Sequence, residues 1–153
     1  LDPETGLRNK ATRLAGALTL EFSKHGQITD GLSNTIFIAE DAGRNESMQS
    51  GHVYLDPVDG EIRRFWRWAE LDCSIGVSKV INNNRFPIGG PADCPWNKNN
   101  CGPFEEIFSF HTGGAQAVMG DGSVHFLSES MAAQILRSLV TGKGGEVIPG
   151  FPD

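Results

Sequence analysis

The sequence predicts an α+β fold: a small antiparallel β-sheet with long loops and a C-terminal hairpin–helix unit. Three observations carry this expectation. Two alternating apolar runs, Ala115–Met119 and Ser123–Leu127, flank Gly120-Asp121-Gly122, and Asp-Gly between such runs is the strongest local hairpin signal. An apolar stripe follows, with Met131, Ile135 and Leu139 four residues apart and Ala132, Leu136 and Val140 beside them, which is helical spacing. Glycine occupies 19 of 153 positions, with 8 prolines. Average usage would give about 7% glycine, so turns and short strands are expected rather than a helical bundle.

Taken in order, residues 1–35 begin with a Pro/Gly-containing stretch and end in the polar run Gln27 to Asn34. Between them, Ala11 to Phe22 is compatible with either a short helix or an extended segment. Thr35-Ile36-Phe37-Ile38-Ala39-Glu40 is β-branched and nearly continuous in apolar character. It reads as a strand buried on both faces or central in a small sheet. Val53–Leu55 and Ile62–Phe65 are expected to pair through a turn at Asp59-Gly60. Residues 82–103 are rich in Asn, Pro and Gly, and a loop of that length is usually functional or stapled. In the closing unit, Ser128 or Ser130 is placed to cap the helix, with Glu129 favouring its dipole and Gly142 ending it.

Length and composition suit one domain over residues 1–153. The chain holds 13 Lys+Arg against 19 Asp+Glu, a formal net charge of −6. No basic stripe is present to displace counterions from phosphates, which argues against nucleic acid. No run of 18 apolar residues spans a bilayer, and no leader pattern is visible. Because the first residue is Leu and not Met, residues upstream are expected to have been removed.

Cys94 and Cys101 frame a short loop that suits a local disulfide; the alternative is a pair of reduced thiols. Closing so small a loop stabilises a fold by roughly 2–3 kcal/mol and favours an oxidising compartment. Cys73 is left over, free or paired with missing sequence. A C-x6-C spacing with no second Cys or His pair gives little support for zinc.

Chemistry has few footholds. No G-x-S-x-G elbow surrounds Ser109 and His111, Gly142-Lys143-Gly144-Gly145 lacks the features of a phosphate loop, and the adjacent Glu105 and Glu106 would face opposite ways on a strand. No catalytic residue is assigned. His111 is read as a partly buried ring that hydrogen-bonds across the hairpin turn, with Asp121 as its partner and Gly122 beside it. A metal-dependent hydrolase around His111 and Asp121 is the remote alternative, since one imidazole and one carboxylate fall short of the three or four ligands a transition metal takes. No metal site is assigned and no cofactor is expected; calcium on Asp30, Asn34, Asp41, Asp56 or Asp59, or in the 82–103 loop, lacks the spacing of a dedicated calcium loop. A ligand surface is the more suggestive possibility. Trp66, Trp68 and Trp96 offer π-faces for sugar C–H edges, and Arg67 with Asn82, Asn83, Asn84, Asn99 and Asn100 offers hydrogen bonds. Core packing of the same aromatics is the competing account.

Several blocks then point to a family. Ile28-Thr29-Asp30-Gly31-Leu32-Ser33-Asn34-Thr35, Asn100-Cys101-Gly102-Pro103 and Phe108-Ser109-Phe110-His111-Thr112-Gly113-Gly114-Ala115 occur in order. His111 is followed after nine residues by Asp121-Gly122-Ser123-Val124-His125-Phe126-Leu127-Ser128-Glu129. Together these resemble the DUF1559 proteins, the planctomycete-type H-X9-DG family also catalogued as a bacterial solute-binding family. Thr112 departs from the pattern, where Pro is frequent. The resemblance covers nearly all of this chain but implies only the C-terminal half of a member, the rest being a prepilin-like leader, a long hydrophobic helix and more of the head. It implies a non-enzymatic pilin-like or pseudopilin-like globular head, extracytoplasmic, at the cell surface or secreted. Its partners would be other pilin-like subunits or the missing N-terminal part, with a glycan or small solute as ligand. Contact with a membrane would come only through the absent helix. A carbohydrate-binding module acting through Trp66, Trp68 and Trp96 is the rival function.

Overall fold

The computed structural model describes residues 16–18, 24–42, 54–55, 62–63, 77, 79–96, 101–103 and 106–145. Its centre is a three-stranded antiparallel sheet of β1 (Ile36–Ala39), β4 (Gly114–Met119) and β5 (Val124–Ser128), in the order β1-β4-β5. Two short strands, β2 (Tyr54–Leu55) and β3 (Ile62–Arg63), form a separate antiparallel pair with Tyr54 opposite Arg63 and Leu55 opposite Ile62. Among the described residues one α-helix, α1 (Ala133–Val140), follows β5. The α+β expectation holds.

The β4–β5 hairpin forms where the alternation and the Asp-Gly step place it. Gln116 stands opposite Phe126 and Val118 opposite Val124. Gly122 N–H donates to the Met119 carbonyl (3.0 Å), and Met119 N–H donates to the Ser123 carbonyl (2.9 Å). Gly122 has φ +87°, so the loop is a three-residue turn that needs a left-handed residue at its third position. Gly120 serves packing instead: a Cβ there would sit 2.7 Å from Phe37.

β4 supplies the buried spine, with Ala115, Ala117 and Met119 on its inner face. Leu127 joins them from β5, Ile36 from β1, Leu136 and Leu139 from α1, and Ile81 and Ile107 from the loops. Burying such side chains is the main favourable term in folding. The small Ala115 and Ala117 of β4 share this core with the larger Leu and Ile side chains, which fill the space around them.

The structure differs from expectation in three places. β1 lies at the sheet edge, not its centre, and Ile38 is exposed. Its C-terminal extension is held on two sides instead: Glu40 N–H donates to the Gln116 carbonyl (2.9 Å), while Phe108 N–H donates to the Glu40 carbonyl (3.1 Å). The apolar character of residues 35–40 therefore reflects flanking by loops as well as by strands. The helix begins at Ala133 with Ala132 as N-cap and no side-chain cap. The two candidate cap serines bond each other instead (Oγ to Oγ 2.7 Å), and Ile135 turns outward while Leu136 and Leu139 face the core. The third difference is at Gly142, which is not the left-handed terminator. Thr141 ends the helix in extended backbone, bridges to Gly16, and leaves the Gly142 carbonyl to accept Thr29 N–H (2.9 Å). Gly16 is thus extended at that point; the rest of the 11–22 segment, apart from 17–18, lies outside the described residues.

Candidate functional site

Among the described residues, a densely connected polar region surrounds the loop that leads into β4. Asn82, buried and in the left-handed region at φ +57°, is its hub. Ser109 N–H donates to Asn82 Oδ1 (2.7 Å), and Asn82 N–H donates to the Ile107 carbonyl (3.1 Å). Asn82 Nδ2 donates to Glu129 Oε2 (3.0 Å) and to the Gly114 carbonyl (3.4 Å). One amide therefore ties three chain segments together. Asparagine suits the place because it tolerates left-handed backbone and both donates and accepts.

Arg85 completes the bracket. Its guanidinium donates to the carbonyls of His111 (2.8 Å) and Phe110 (2.6 Å), and its Nη1 lies 3.6 Å from Glu129 Oε2. A planar fork is well matched to two successive carbonyls. The backbone at 110–111 is thus fixed from beneath, while the His111 ring stays 62% exposed. His111 Nε2 lies 3.4 Å from Glu40 Oε1, and the other oxygen of Glu40 accepts Gln116 N–H (3.1 Å). Gly113, at φ +87°, then turns the chain into β4. At Gly114 a side chain would collide with the Leu127 carbonyl and crowd the Phe126 ring.

Asp121 sits at the opposite end of β4. The six residues of that strand hold the two signature residues roughly 17 Å or more apart at about 3.4 Å per residue. The expected His111–Asp121 contact is therefore corrected: His111 partners Glu40, and Asp121 partners Ser123. A metal or acid–base centre shared by His111 and Asp121 fails for the same reason. Asp121 Oδ1 accepts both Ser123 N–H (2.9 Å) and Ser123 Oγ–H (2.6 Å), and Ser123 Oγ meets His125 Nε2 at 3.0 Å. The Ser123 hydroxyl, followed by the Ser123 backbone N–H, holds the Asp121 carboxyl below the usual aspartate value. This Asp-Ser-His chain has serine in the middle, its proton directed at the carboxylate. A nucleophilic serine would need an imidazole to take that proton, so the arrangement braces a turn and does not activate a hydroxyl.

The remaining expected residues divide cleanly. Trp66, Arg67 and Trp68 lie outside the described residues, as do Cys73, Asp56 and Asp59. Asn83 is half-exposed beside the hub, but the neighbouring Asn82 does the tying. Trp96 is corrected: it is 0% exposed and has no face to offer a sugar. Its Nε1–H donates to the Asn84 carbonyl (2.9 Å), Phe108 packs edge-on at 5.1 Å, and Gly90 and Gly102 leave room for the indole. Cys94 and Cys101 are joined as a disulfide around this private core. Asp30, a candidate calcium ligand, accepts the backbone N–H groups of Gly144 (2.7 Å) and Gly145 (2.9 Å), so its carboxylate clamps the segment after α1. Among the described residues no three His, Cys, Asp or Glu side chains come together as a metal-ligand set.

A small α+β fold with a disulfide-stapled loop, in which Asn82, Arg85 and Asp121 hold backbone in place, is the class of protein these elements define. The family model described as "Protein of unknown function (DUF1559)" matches residues 7–134. The chain belongs to that family. No curated protein and no solved structure matches it.

Proposed function

We propose that this chain is the head of a non-enzymatic, extracytoplasmic, pilin-like surface protein whose loop surface binds a small solute or a glycan. The observation that carries this reading is the use of the polar residues around the signature. Asn82, Arg85, Asp30 and Asp121 each hold backbone, and where Asn82 and Arg85 meet, at Glu129 Oε2, the contact ties the same loop. Such a scaffold fixes loops for contact, the usual place for recognition on a rigid fold. Phe86, Ile88 and Phe110 stand exposed on those loops, next to the exposed His111 ring. The Cys94–Cys101 disulfide suits an oxidising compartment, and the family's solute-binding label agrees with both points. Among the described residues no helix is long and apolar enough to cross a membrane.

The test is calorimetric titration of the chain with a panel of oligosaccharides and small solutes, alongside Phe86→Ala, Phe110→Ala and the double variant Trp66→Ala/Trp68→Ala. Saturable heat that is lost in one variant identifies the binding surface. Identical, non-saturating heats in all four proteins remove the ligand part of the reading. Fractionation of cells carrying the full-length protein tests its location, and recovery in the cytoplasm overturns that part separately.

A further inference from the structure

We propose that the free edge of β5 pairs antiparallel, about a two-fold axis, with β5 of a second copy of this chain. The hydrogen-bond parity of the hairpin defines that edge. Met119 bonds Ser123, and Glu129 N–H donates to the Gly113 carbonyl (2.8 Å). With Val118 opposite Val124 and Gly114 opposite Ser128, the odd-numbered residues of β5 bond inward to β4. In an antiparallel ladder the alternate residues then direct N–H and C=O away from the partner strand. These are Val124, Phe126 and Ser128. The Ser128 carbonyl is already taken by Met131 N–H (3.0 Å), whereas β5 has no further strand beside it among the described residues.

Four outward groups remain, the N–H and C=O of Val124 and of Phe126. A strand of identical sequence satisfies all four in one register, with Val124 opposite Phe126 of the other copy and Phe126 opposite its Val124. The two-fold axis then passes between the two copies of His125. Centring on Phe126 instead would call on the occupied Ser128 carbonyl, so the first register is favoured. It also sets a β-branched residue against an aromatic one twice, a favourable cross-strand pair. Val124 and Phe126 are 63% and 50% exposed, and Ile38 and Val118 extend the same face, since Ile38 stands opposite Val118 and Val118 opposite Val124.

The strand's composition selects a second copy as occupant. Val124-His125-Phe126-Leu127-Ser128 holds no Pro, Lys, Arg, Asp or Glu, the devices that natural edge strands use against pairing. The strand itself carries no carboxylate between Asp121 and Glu129, so the paired residues add no charge repulsion across the contact. An isologous contact of this kind closes at two subunits. One short strand pair buries less than the roughly 1,000 Å² of a stable interface, so the isolated chain dimerises weakly and reversibly. The proposal stands on hairpin geometry and is independent of the solute reading, which is tested by a different readout.

Sedimentation equilibrium of the 153-residue chain from micromolar to millimolar concentration is the experiment. Wild type is expected to shift reversibly from monomer to dimer. Val124→Lys, at an exposed position, is expected to stay monomeric with an unchanged melting temperature; Phe126→Lys serves as a second variant, although its ring also covers Gly114. Hydrogen exchange gives the residue-level check: the Val124 and Phe126 amides slow as concentration rises, and Leu127 does not change. A wild-type monomer at millimolar concentration overturns the proposal, as does a dimer that survives Val124→Lys. Slow exchange at Val124 and Phe126 in dilute monomer also overturns it, by showing that the edge is already covered.

Discussion

Replacing Asn82 by alanine should be among the most damaging polar substitutions in this fold, and its cost divides into two parts. The first is hydrogen bonding. Ser109 is fully buried, and its N–H loses its acceptor when the Asn82 carbonyl oxygen goes; a stranded buried donor costs about 1–3 kcal/mol. Glu129 loses the amide donor at the same time, although Arg85 remains beside it. The second part is backbone. At φ +57° alanine carries the left-handed penalty of roughly 1 kcal/mol that asparagine partly evades. Together these predict a loss of about 3 kcal/mol, or roughly 6–12 °C in melting temperature for a chain of this size. Asn82→Gly separates the parts, because it relieves the backbone and keeps the hydrogen-bond loss; it should recover about 1 kcal/mol. Urea unfolding of the three proteins measures this. An Asn82→Ala variant within about 0.5 kcal/mol of wild type, the usual range for inert surface changes, would refute the claim that this amide holds the loop.

Other outcomes follow from the same geometry. Reduction, or the double change Cys94→Ala/Cys101→Ala, should cost about 2–3 kcal/mol through the freed loop; mass spectrometry that finds two free thiols at those positions in the oxidised protein would remove the staple altogether. Gly114→Ala should destabilise by about 3 kcal/mol or abolish folding, because the new methyl meets backbone at Leu127 and not a movable side chain; a melting temperature unchanged from wild type would contradict the packing described. Asp121 should titrate below the usual 3.8. A lowered folded-state value stabilises the fold above the ordinary carboxylate range, and that contribution disappears as pH falls through the lowered value. Carboxyl NMR of Ser123→Ala should show the midpoint moving up toward 3.8, and no movement would mean that Ser123 is not the cause.

What the sequence makes legible here is whatever is local. The hairpin is written into thirteen consecutive residues, 115–127, and α1 into the next turn or two of helical spacing. The cysteine pair is seven residues apart. Burial of Trp96 had a signal too, in the glycines at 90 and 102 on either side of it, but exposure cannot be read from an aromatic's identity. The hub could not be read in this way. Asn82 meets Glu129 across 47 residues and Ser109 across 27, and Arg85 reaches His111 across 26. Periodicity carries no information about pairs so far apart in sequence. His111 illustrates the consequence. The nine-residue spacing to Asp121 suggests proximity, yet most of that interval is strand, which separates its ends. Only the tertiary fold brings Glu40 to the imidazole.

The Asp30 carboxylate, closed on the amides of Gly144 and Gly145, sets where this body can be cut. The family match stops at residue 134, two positions into α1. A fragment trimmed to that boundary would lose Leu136 and Leu139 from the core they share with β1, β4 and β5, and would strand an acidic side chain with nothing to grip. Such a fragment should precipitate or stay molten. A piece that keeps both the core and this clamp reaches at least to Gly145, eleven residues past the family match.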